Sequence, residues 1–321
     1  MLDNSIPIMK SGTSLVAIID VNKMKIYENL NITYLKEIIY KVKKKYGINL
    51  NKFAVLTPES KELFFIQYIP SLDKIDLSGN CGNAVVAAYE YLIKHYGESS
   101  SISLKNTNKV MKLQLKSKVD SLNSIIELNF FDFTPTQLKS TFPLNDRLLL
   151  VQKEIESIPV SVVDVGNPYI WVRKKDISAN SLSSWGIDEM RKLEDIRREI
   201  QKVLNIPNQS VFPKIAAFSN NKSLPEFEVR SISVPSWHPS FALTGIINLC
   251  YTISMDNTII SNELLKKKPT SLSIKTPSNN MKVSLDYNHG SIYCLKIEQK
   301  VTKIGEVFVD FNRNGLQEIS I

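Results

Sequence analysis

The chain has 321 residues, enough for two domains of ordinary size, and 43% of them are hydrophobic, as in globular proteins. Its 40 Lys and Arg residues outnumber its 32 Asp and Glu residues and give a net charge of +8. The densest lysine runs, at 41–45 and 266–268, are not interleaved with aromatic residues on which nucleic-acid bases could stack. We therefore expect a basic surface that attracts small anions, and no nucleic-acid partner.

Three widely separated cysteines, an odd number with no Cys-x-x-Cys pair, argue against a disulfide framework: Cys81, Cys250 and Cys294. The histidines have no metal-ligand spacing, so we expect no bound metal: His95, His238 and His289. Residues 1–5 lack the basic and apolar regions of a signal peptide, and no apolar run reaches the length of a membrane span. The sequence thus predicts a cytoplasmic protein without a membrane partner.

The first half of the chain combines predicted strands with two predicted helices. Short runs rich in Val, Ile, Leu and Phe predict strands at residues 15–20, 53–57, 63–69, 102–104, 110–115 and 125–131. Residues 32–46 carry apolar side chains at helical spacing, so we predict a helix with one buried face. Residues 84–95 are apolar on nearly every side, which predicts a helix enclosed by other structure.

The same order returns after a polar, proline-containing stretch at 134–146. Strands are predicted at 158–165, 168–173, 214–218, 226–234, 271–276, 281–285, 291–299 and 305–311. A charged helix is predicted at 188–204 and a second apolar helix at 246–254. In each half, strands lead to a loop of small residues that opens the apolar helix, so the sequence indicates a weak internal repeat.

This repeat predicts an α+β fold with two similar β-barrel-like domains, each wrapped around a central helix. We place the N-terminal domain at 1–148, joined by a last strand at 312–321, and the C-terminal domain at 149–311. Two helix N-termini, both partly positive, would then lie at an active-site cleft between the domains. Such a cleft suits a dicarboxylate or tricarboxylate.

The most informative motif is Ser78-Gly79-Asn80-Cys81-Gly82-Asn83, directly before the first apolar helix. Small and turn-forming residues bring the backbone round a tight corner, which would place Cys81 at the helix N-terminus. Thiols at such positions exchange protons near neutral pH, and the neighbouring backbone N–H groups bind carboxylates. A tight turn with a structural cysteine is the alternative interpretation.

In the order of its motifs, nearly the whole chain resembles the 2-methylaconitate cis-trans isomerase (PrpF) family, which shares the two-domain fold of diaminopimelate epimerase. The similar segments are residues 9–14 (MKSGTS), 52–56 (KFAVL), 76–83 (DLSGNCGN), 163–168 (VDVGNP), 213–216 (PKIA), 230–233 (RSIS), 238–245 (HPSFALTG) and 305–309 (GEVFV). Each match alone is weak, but together they follow the order of the family.

The resemblance implies an isomerase that needs no cofactor and moves a proton in an unsaturated di- or tricarboxylic acid. It assigns the catalytic roles to Lys52, as the base, and Cys81, as the acid or thiol partner. Loss of an allylic proton leaves charge on carboxylate oxygens, which backbone N–H groups at a helix N-terminus stabilise. A lysine that is partly desolvated in a cleft can serve as a base near neutral pH.

The same motifs predict substrate contacts from small, hydroxyl, amide and basic residues: Ser11, Gly12, Thr13, Ser14, Ser78, Asn80, Gly82, Asn83, Asn167, Lys214, Arg230, Ser231, His238, Thr244 and Gly245. Two of them have structural alternatives. His238 either contacts the substrate or is structural. Arg230 either pairs with a substrate carboxylate or forms a structural ion pair.

The second apolar helix separates two mechanisms. Racemases and epimerases of this fold use a second thiol at the matching helix N-terminus, and that position is Ala242 here. Cys250 lies two turns further along the helix, where we expect it in the core. The sequence therefore disfavours a two-thiol racemase. An amino-acid racemase or epimerase of the same fold, and an inactive carboxylate-binding relative, remain the alternatives.

Two positions depart from the family pattern. Leu15 replaces a lysine, and residues 43–50 replace a glycine-rich segment that precedes the catalytic lysine. Because the second change lies at the expected substrate cleft, it bears on the identity of the acid more than on the reaction class. The resemblance implies 2-methylaconitate or a related acid as the substrate. The partner is then a small-molecule polycarboxylate, and a homodimer is the assembly to consider.

Overall fold

The computed structural model describes residues 5–24, 32–47, 50–69, 73–77, 81–97, 99–106, 109–131, 148–153, 156–165, 167–207, 210, 212–221, 225–233, 236–256, 258–264, 268–289 and 291–309. Its helices are α1 (Val21–Met24), α2 (Ile32–Tyr46), α3 (Gly82–Tyr96), α4 (Lys174–Ile177), α5 (Ile187–Val203) and α6 (Leu243–Ser254). None of the helices in this part of the chain has the length and apolar character needed to cross a lipid bilayer.

The strands of the first half are β1 (Ser5–Ser11), β2 (Ser14–Asp20), β3 (Lys52–Thr57), β4 (Glu62–Ile69), β5 (Lys74–Asp76), β6 (Ser101–Leu104), β7 (Lys109–Lys118) and β8 (Asn123–Phe131). Those of the second half are β9 (Leu148–Lys153), β10 (Glu156–Val165), β11 (Asn167–Arg173), β12 (Lys214–Asn221), β13 (Glu226–Ser233), β14 (Ser236–Trp237), β15 (Ser271–Lys275), β16 (Asn280–Asn288) and β17 (Ser291–Phe308). The long predicted helices are all confirmed, although α6 begins three residues before its predicted start.

The chain divides into two compact units. The first unit comprises residues 1–128 and 299–321, and the second comprises residues 129–298. Strand β17 belongs to both, because its residues 291–298 lie in the second unit and its residues 299–308 in the first. The predicted last strand at 312–321 lies outside the described residues.

The first unit is a closed barrel of eight strands. Strand β1 pairs antiparallel with β2 and with the end of β17, and β2 runs parallel to β3. Strand β3 is antiparallel to β4, β4 is parallel to β6, and β6 is antiparallel to β7. A tight turn leads from β7 to β8, where the backbone N–H of Val119 donates to Asn123, and β8 pairs with β17 to close the ring.

Helix α3 lies inside this barrel, where it contacts β1, β2, β3, β4, β6 and β7. Its residues from Ala84 to Leu92 are all buried, which explains why the sequence is apolar on nearly every side. Helix α2 is amphipathic instead, and its apolar residues Leu35, Ile38 and Val42 join a core cluster with strand residues such as Phe53. The barrel therefore has one enclosed helix and one helix laid on its surface.

The second unit repeats this order of elements. Strands β10 and β11 are antiparallel, β11 and β12 are parallel, and β12 and β13 are antiparallel. Strand β13 runs parallel to β15, which is antiparallel to β16, and β16 is antiparallel to β17. Helix α5 connects the first parallel pair and the buried helix α6 the second, as α2 and α3 do in the first unit. The predicted α+β class and internal repeat are confirmed.

Strand β17 differs from its prediction, because one strand of 18 residues replaces two predicted strands. The pairing with β1 shifts register between Ile8 and Met9, which face Gly305 and Lys303 and leave Ile304 as an extra residue. A bulge of this kind lets a long strand bend without ending. The lysine-rich sequence around Ile304 therefore marks a bulge and not a loop.

Candidate active site

The predicted site residues that the structure describes lie mainly around the N-termini of α3 and α6. Ser78 and Asn80, from the motif before α3, lie outside the described residues. We call Gly12, Ser14, Lys52, Asn83 and Gln299 the first cluster. We call Asn167, Tyr169, Thr244, Gly245 and Asn248 the second cluster. Each cluster lies within one unit.

Lys52 is positioned by the parallel pairing of β2 and β3. It is the first residue of β3 and faces Val16, so Ser14 lies two residues back along the neighbouring strand. Its half-buried side chain donates a hydrogen bond from Nζ to Ser14 Oγ at 2.6 Å. Within the described part of the chain, no carboxylate pairs with this lysine. Its hydrogen-bond partner among the described residues is a hydroxyl, which leaves an amine available to a substrate.

Ser14 connects the lysine to α3. Asn83 is the second residue of that helix, and its Nδ2 donates to Ser14 Oγ at 2.9 Å. Since Lys52 donates to the same oxygen, both lone pairs of the hydroxyl are occupied. The hydroxyl hydrogen of Ser14 remains able to donate to a third group.

Cys81 is the N-cap residue of α3. Its carbonyl accepts the first helical hydrogen bond, from Val85 at 3.0 Å, and its free thiol is half-buried. The side chain makes no capping hydrogen bond, so it does not occupy the N–H groups of the first helical turn. Such uncapped N–H groups, together with the helix dipole, favour an anion. The prediction that the loop delivers Cys81 to the helix N-terminus is confirmed.

Gly12 and Gln299 complete the first cluster. Gln299 Nε2 donates to Asn83 Oδ1 at 3.1 Å. Gly12 has a φ of +55°, and a Cβ at this position would lie 2.2 Å from Gln299 Nε2. The glycine is therefore required both by its left-handed backbone and by the close approach of the glutamine. Gln299 was not among the predicted residues, although it is a polar residue at an inward position between the buried residues Ile297 and Val301.

The other predicted residues near the first cluster differ in exposure. Ser11 faces Ser14 across the β1–β2 hairpin and is buried, and its Oγ has no hydrogen-bond partner in the described residues. Thr13 is exposed in the turn, and Gly82 is the first, half-buried residue of α3. Buried polar groups are usually hydrogen-bonded, so this unpartnered hydroxyl next to the first cluster is an exception among the described residues.

The second cluster contains the residues of the second unit that correspond to Ser14 and Asn83 in the structural repeat. Asn167, the first residue of β11, donates from Nδ2 to Oγ1 of Thr244, the second residue of α6, at 3.1 Å. The buried hydroxyl of Tyr169 also hydrogen bonds to Thr244, and burial raises the pKa of this tyrosine. A Cβ on Gly245 would lie 2.5 Å from the Phe241 ring and 2.8 Å from the Tyr169 hydroxyl oxygen. Aromatic side chains thus crowd this helix N-terminus.

Asn248 connects α6 to strands β10 and β11 through side-chain hydrogen bonds. Its Oδ1 accepts from Trp171 Nε1 at 2.7 Å, and its Nδ2 donates to the carbonyls of Val163 at 2.8 Å and Asn167 at 3.0 Å. The asparagine is fully buried, and these bonds use both ends of its amide. It fixes the end of β10 and the start of β11 against α6. Neither Asn248 nor Tyr169 was among the predicted residues.

Lys214 occupies the same place in the second unit as Lys52 in the first. It begins β12 and faces Tyr169 on the parallel strand β11, two residues after Asn167. Its Nζ lies 5.3 Å from the ring centre of Phe212. The structural repeat therefore supplies a half-buried lysine at both positions.

His238 is tied to Ser231 through the backbone. The N–H of His238 donates to the carbonyl of Ser231 at 2.9 Å, and its Nδ1 accepts from the N–H of Ser240 at 3.1 Å. Because Nδ1 is the acceptor, a neutral ring carries its proton on Nε2. Ser231 itself is buried on β13.

Arg230 faces Ala217 on β12, which in turn faces Val172 on β11, five residues after Asn167. Its Nη1 donates to the carbonyls of Leu182 at 2.7 Å and Ser183 at 3.0 Å, and its guanidinium stacks on Trp237 at 4.3 Å. Burial lowers the pKa of Arg230. These contacts favour the structural alternative for this residue, with backbone carbonyls in place of the ion pair.

Cys250 is fully buried in α6, and burial raises the pKa of its thiol. A buried thiol with a raised pKa is a poor nucleophile and proton carrier near neutral pH. Within the described residues, no group of three or more His, Cys, Asp or Glu side chains is placed to hold a metal ion.

Comparisons with known proteins identify the fold. No protein-family model matches the chain, and no curated protein is significantly similar to it. Among solved structures, a methylitaconate-delta-isomerase superposes with a TM-score of 0.71 at 17% identity, covering 95% of this chain and 94% of that one.

Two further solved structures share the architecture at lower similarity. A hydroxyproline epimerase from Agrobacterium vitis, with bound trans-4-hydroxy-L-proline, has a TM-score of 0.60 at 12% identity, covering 94% of this chain and 91% of that one. A probable proline racemase from Agrobacterium radiobacter, with bound carbonate, has a TM-score of 0.57 at 9% identity, covering 97% and 94%. The chain therefore has the fold of the proline racemase and diaminopimelate epimerase-like proteins.

Proposed function

We propose that the chain is a cofactor-independent isomerase of the 2-methylaconitate cis-trans isomerase type, acting on an unsaturated di- or tricarboxylic acid. The observation that carries the proposal is the first cluster. It links the amine of Lys52, through Ser14 and Asn83, to the first turn of the helix that Cys81 caps. The amine of Lys52, the thiol of Cys81 and a helix N-terminus without a side-chain cap thus all belong to the first unit.

In the proposed reaction, Lys52 removes an allylic proton from the substrate. The negative charge spreads onto a carboxylate, where N–H groups of the first turn of α3 and the Ser14 hydroxyl stabilise it. The Cys81 thiol then returns a proton. Return at the other end of the allylic system shifts the double bond, and return at the original carbon after rotation inverts its cis-trans geometry. The substrate balances without a cofactor, because one proton leaves carbon and one is returned. The lysine ammonium then gives its proton back to the Cys81 thiolate through solvent, which restores the enzyme.

The similarity to a methylitaconate-delta-isomerase supports the reaction class. The fold also occurs in the proline racemase and hydroxyproline epimerase named above, so an amino-acid racemase or epimerase is the rival function. Ala242 at the N-cap of α6 argues against a two-thiol version of that reaction. An inactive carboxylate-binding protein is the rival from another class, and the retained Lys52 and Cys81 argue against it.

Proton exchange in deuterated water separates these functions. The protein is incubated with unsaturated di- and tricarboxylic acids and with proline derivatives, and C–H exchange and isomer formation are followed by NMR. We expect exchange and a shifted or inverted double bond with an unsaturated acid, and neither in Lys52→Ala. Exchange at the α-carbon of an amino acid would replace the proposal with a racemase. Tight binding of an acid without any exchange would replace it with a binding protein.

A further inference from the structure

We infer that Gln299 is a positioning residue for the reaction proposed above. Its amide fixes the orientation of Asn83, and Asn83 in turn fixes which way the Ser14 hydroxyl donates. The inference rests on the proposed function for its effect on turnover. The hydrogen-bond chain itself is a property of the first unit and can be tested without a substrate.

The chain runs through two amides that each have one donating and one accepting end. Gln299 Nε2 donates to Asn83 Oδ1 at 3.1 Å, although the two residues are 216 positions apart. The carbonyl end of Asn83 is thereby occupied, and its NH₂ end faces Ser14, to which it donates at 2.9 Å. Gln299 therefore selects one of the two amide orientations of Asn83.

This orientation decides what Ser14 can do. With Asn83 and Lys52 both donating to Ser14 Oγ, the hydroxyl hydrogen remains free to donate to a substrate carboxylate. If Asn83 were turned over, its Oδ1 would accept that hydrogen, and the substrate would lose a donor. Charge grows on the carboxylate as the allylic proton leaves, so the lost donor weakens the transition state more than the ground state.

The surroundings keep Gln299 in place. It occupies an inward position of β17, flanked by the buried residues Ile297 and Val301. Gly12 leaves the space for its amide, and the N–H of Gly12 donates to the carbonyl of Lys300 on the same strand at 3.4 Å. The Gln299 amide lies beside Gly12 in the β1–β2 turn and donates to Asn83 of α3, so it is placed to orient Asn83.

Two substitutions test the inference through turnover. Gln299→Met removes both hydrogen-bonding ends at similar volume, and Gln299→Glu supplies a carboxylate that can only accept, which turns Asn83 over. We expect kcat to fall about tenfold in each, the scale of one hydrogen bond, with KM changed less than kcat. Glu298→Gln, at the exposed neighbouring position of β17, is the matched control and should retain normal kcat. Normal kcat in both Gln299 variants would overturn the inference.

A spectroscopic measurement keeps the test independent of the substrate. With asparagine side chains labelled with ¹⁵N, the NH₂ resonance of Asn83 reports its bond to Ser14. Gln299→Met should move this resonance towards its position in Ser14→Ala, whereas Glu298→Gln should leave it unchanged. An Asn83 resonance that does not respond to Gln299→Met overturns the inference, whatever the substrate. A moved resonance in a protein that exchanges no protons would contradict the proposed function alone.

Discussion

The N-termini of α3 and α6 occupy the same place in the repeat, but they differ in chemistry. Each is bonded through its second residue to the first residue of a strand, by Asn83 and Ser14 in the first unit and by Thr244 and Asn167 in the second. A lysine begins the following strand in both units, as Lys52 and Lys214. The N-cap residue is Cys81 at one end and Ala242 at the other.

The two helices also differ in their buried residues. Six residues after the N-cap stands Ala87 in α3 and Asn248 in α6, and both are fully buried. Asn248 uses both ends of its amide on Trp171 and on two backbone carbonyls, so the second cluster satisfies its polar groups internally. The first cluster instead keeps a donor on Ser14, and the neighbouring buried hydroxyl of Ser11 has no partner among the described residues. The two helix N-termini thus share one framework, but only the second has its polar groups satisfied by internal packing.

The lysines give the largest expected contrast. Lys52→Ala should lower proton exchange by about 10³-fold or more, near the upper range for a general base, because the amine that takes the proton is lost. Lys52→Arg should be no better, since a guanidinium does not deprotonate near neutral pH. Rates are measured by deuterium incorporation into the substrate.

Lys214→Ala is the matched variant from the second unit. We expect it to raise KM while kcat stays within about tenfold of normal, as for a group that binds a carboxylate in both ground and transition states. A dead Lys214→Ala beside an active Lys52→Ala would reverse the assignment of the base.

The N-cap residues give the second contrast. Cys81→Ser keeps the shape and a hydroxyl but provides a much poorer proton donor, so turnover should fall by about 10²-fold. KM should change little, because backbone N–H groups and hydroxyls hold the carboxylate. Ala242→Cys should bring no gain in isomerase activity, although it restores a thiol at the second helix. A gain there would support a two-thiol mechanism.

Asn248 and Asn83 contrast in stability. Asn248→Ala should lower the free energy of unfolding by about 2 kcal/mol, because it leaves the buried Trp171 N–H and backbone carbonyls without partners. Asn83→Ala should cost about 1 kcal/mol, since its site is only half-buried and water can replace its bonds. Urea denaturation measures both, and equal losses would show that the second cluster is no more tightly packed than the first.

The sequence predicted the motif residues of the candidate site, but it did not predict the polar residues that hold them in place. Lys52, Ser14 and Asn83 were all predicted, because they lie in short motifs beside strand and helix starts. Gln299 and Asn248 were missed, since each is a single polar residue whose partners lie far away in the chain, 216 positions in the case of Gln299 and Asn83. Such contacts exist only once the strands have paired.

Most predicted strands are confirmed, and among the exceptions β1 and β17 have a related cause. Strand β1 carries Pro7 and the exposed Lys10, which break the apolar pattern that predicts a strand, yet it is held on both sides by β2 and β17. Strand β17 was divided in two by a lysine-rich stretch that proves to contain a bulge at Ile304. In both cases tertiary pairing overrides the local pattern.

Two glycines provide the smallest expected contrast. In Gly245→Ala the new Cβ would press on the Phe241 ring and the Tyr169 hydroxyl, so we expect a loss of about 2 kcal/mol from overpacking. In Gly12→Ala the obstacle is the terminal amide of Gln299, which the new Cβ can push aside, and the main cost is the left-handed backbone, about 1 kcal/mol.

Gly12→Ala should lower activity more than its small loss of stability would suggest. Gly12→Ala displaces the Gln299 amide from Asn83, so its kcat should fall about tenfold, as expected for one lost hydrogen bond. Gly305→Ala is the control, because its Cβ would meet only Tyr46 at an ordinary 3.6 Å and its backbone is not left-handed. Thermal unfolding and deuterium exchange are measured on all three proteins. If Gly12→Ala keeps normal kcat, the turn before Ser14 tolerates a displaced glutamine, and the first cluster does not depend on its support from β17.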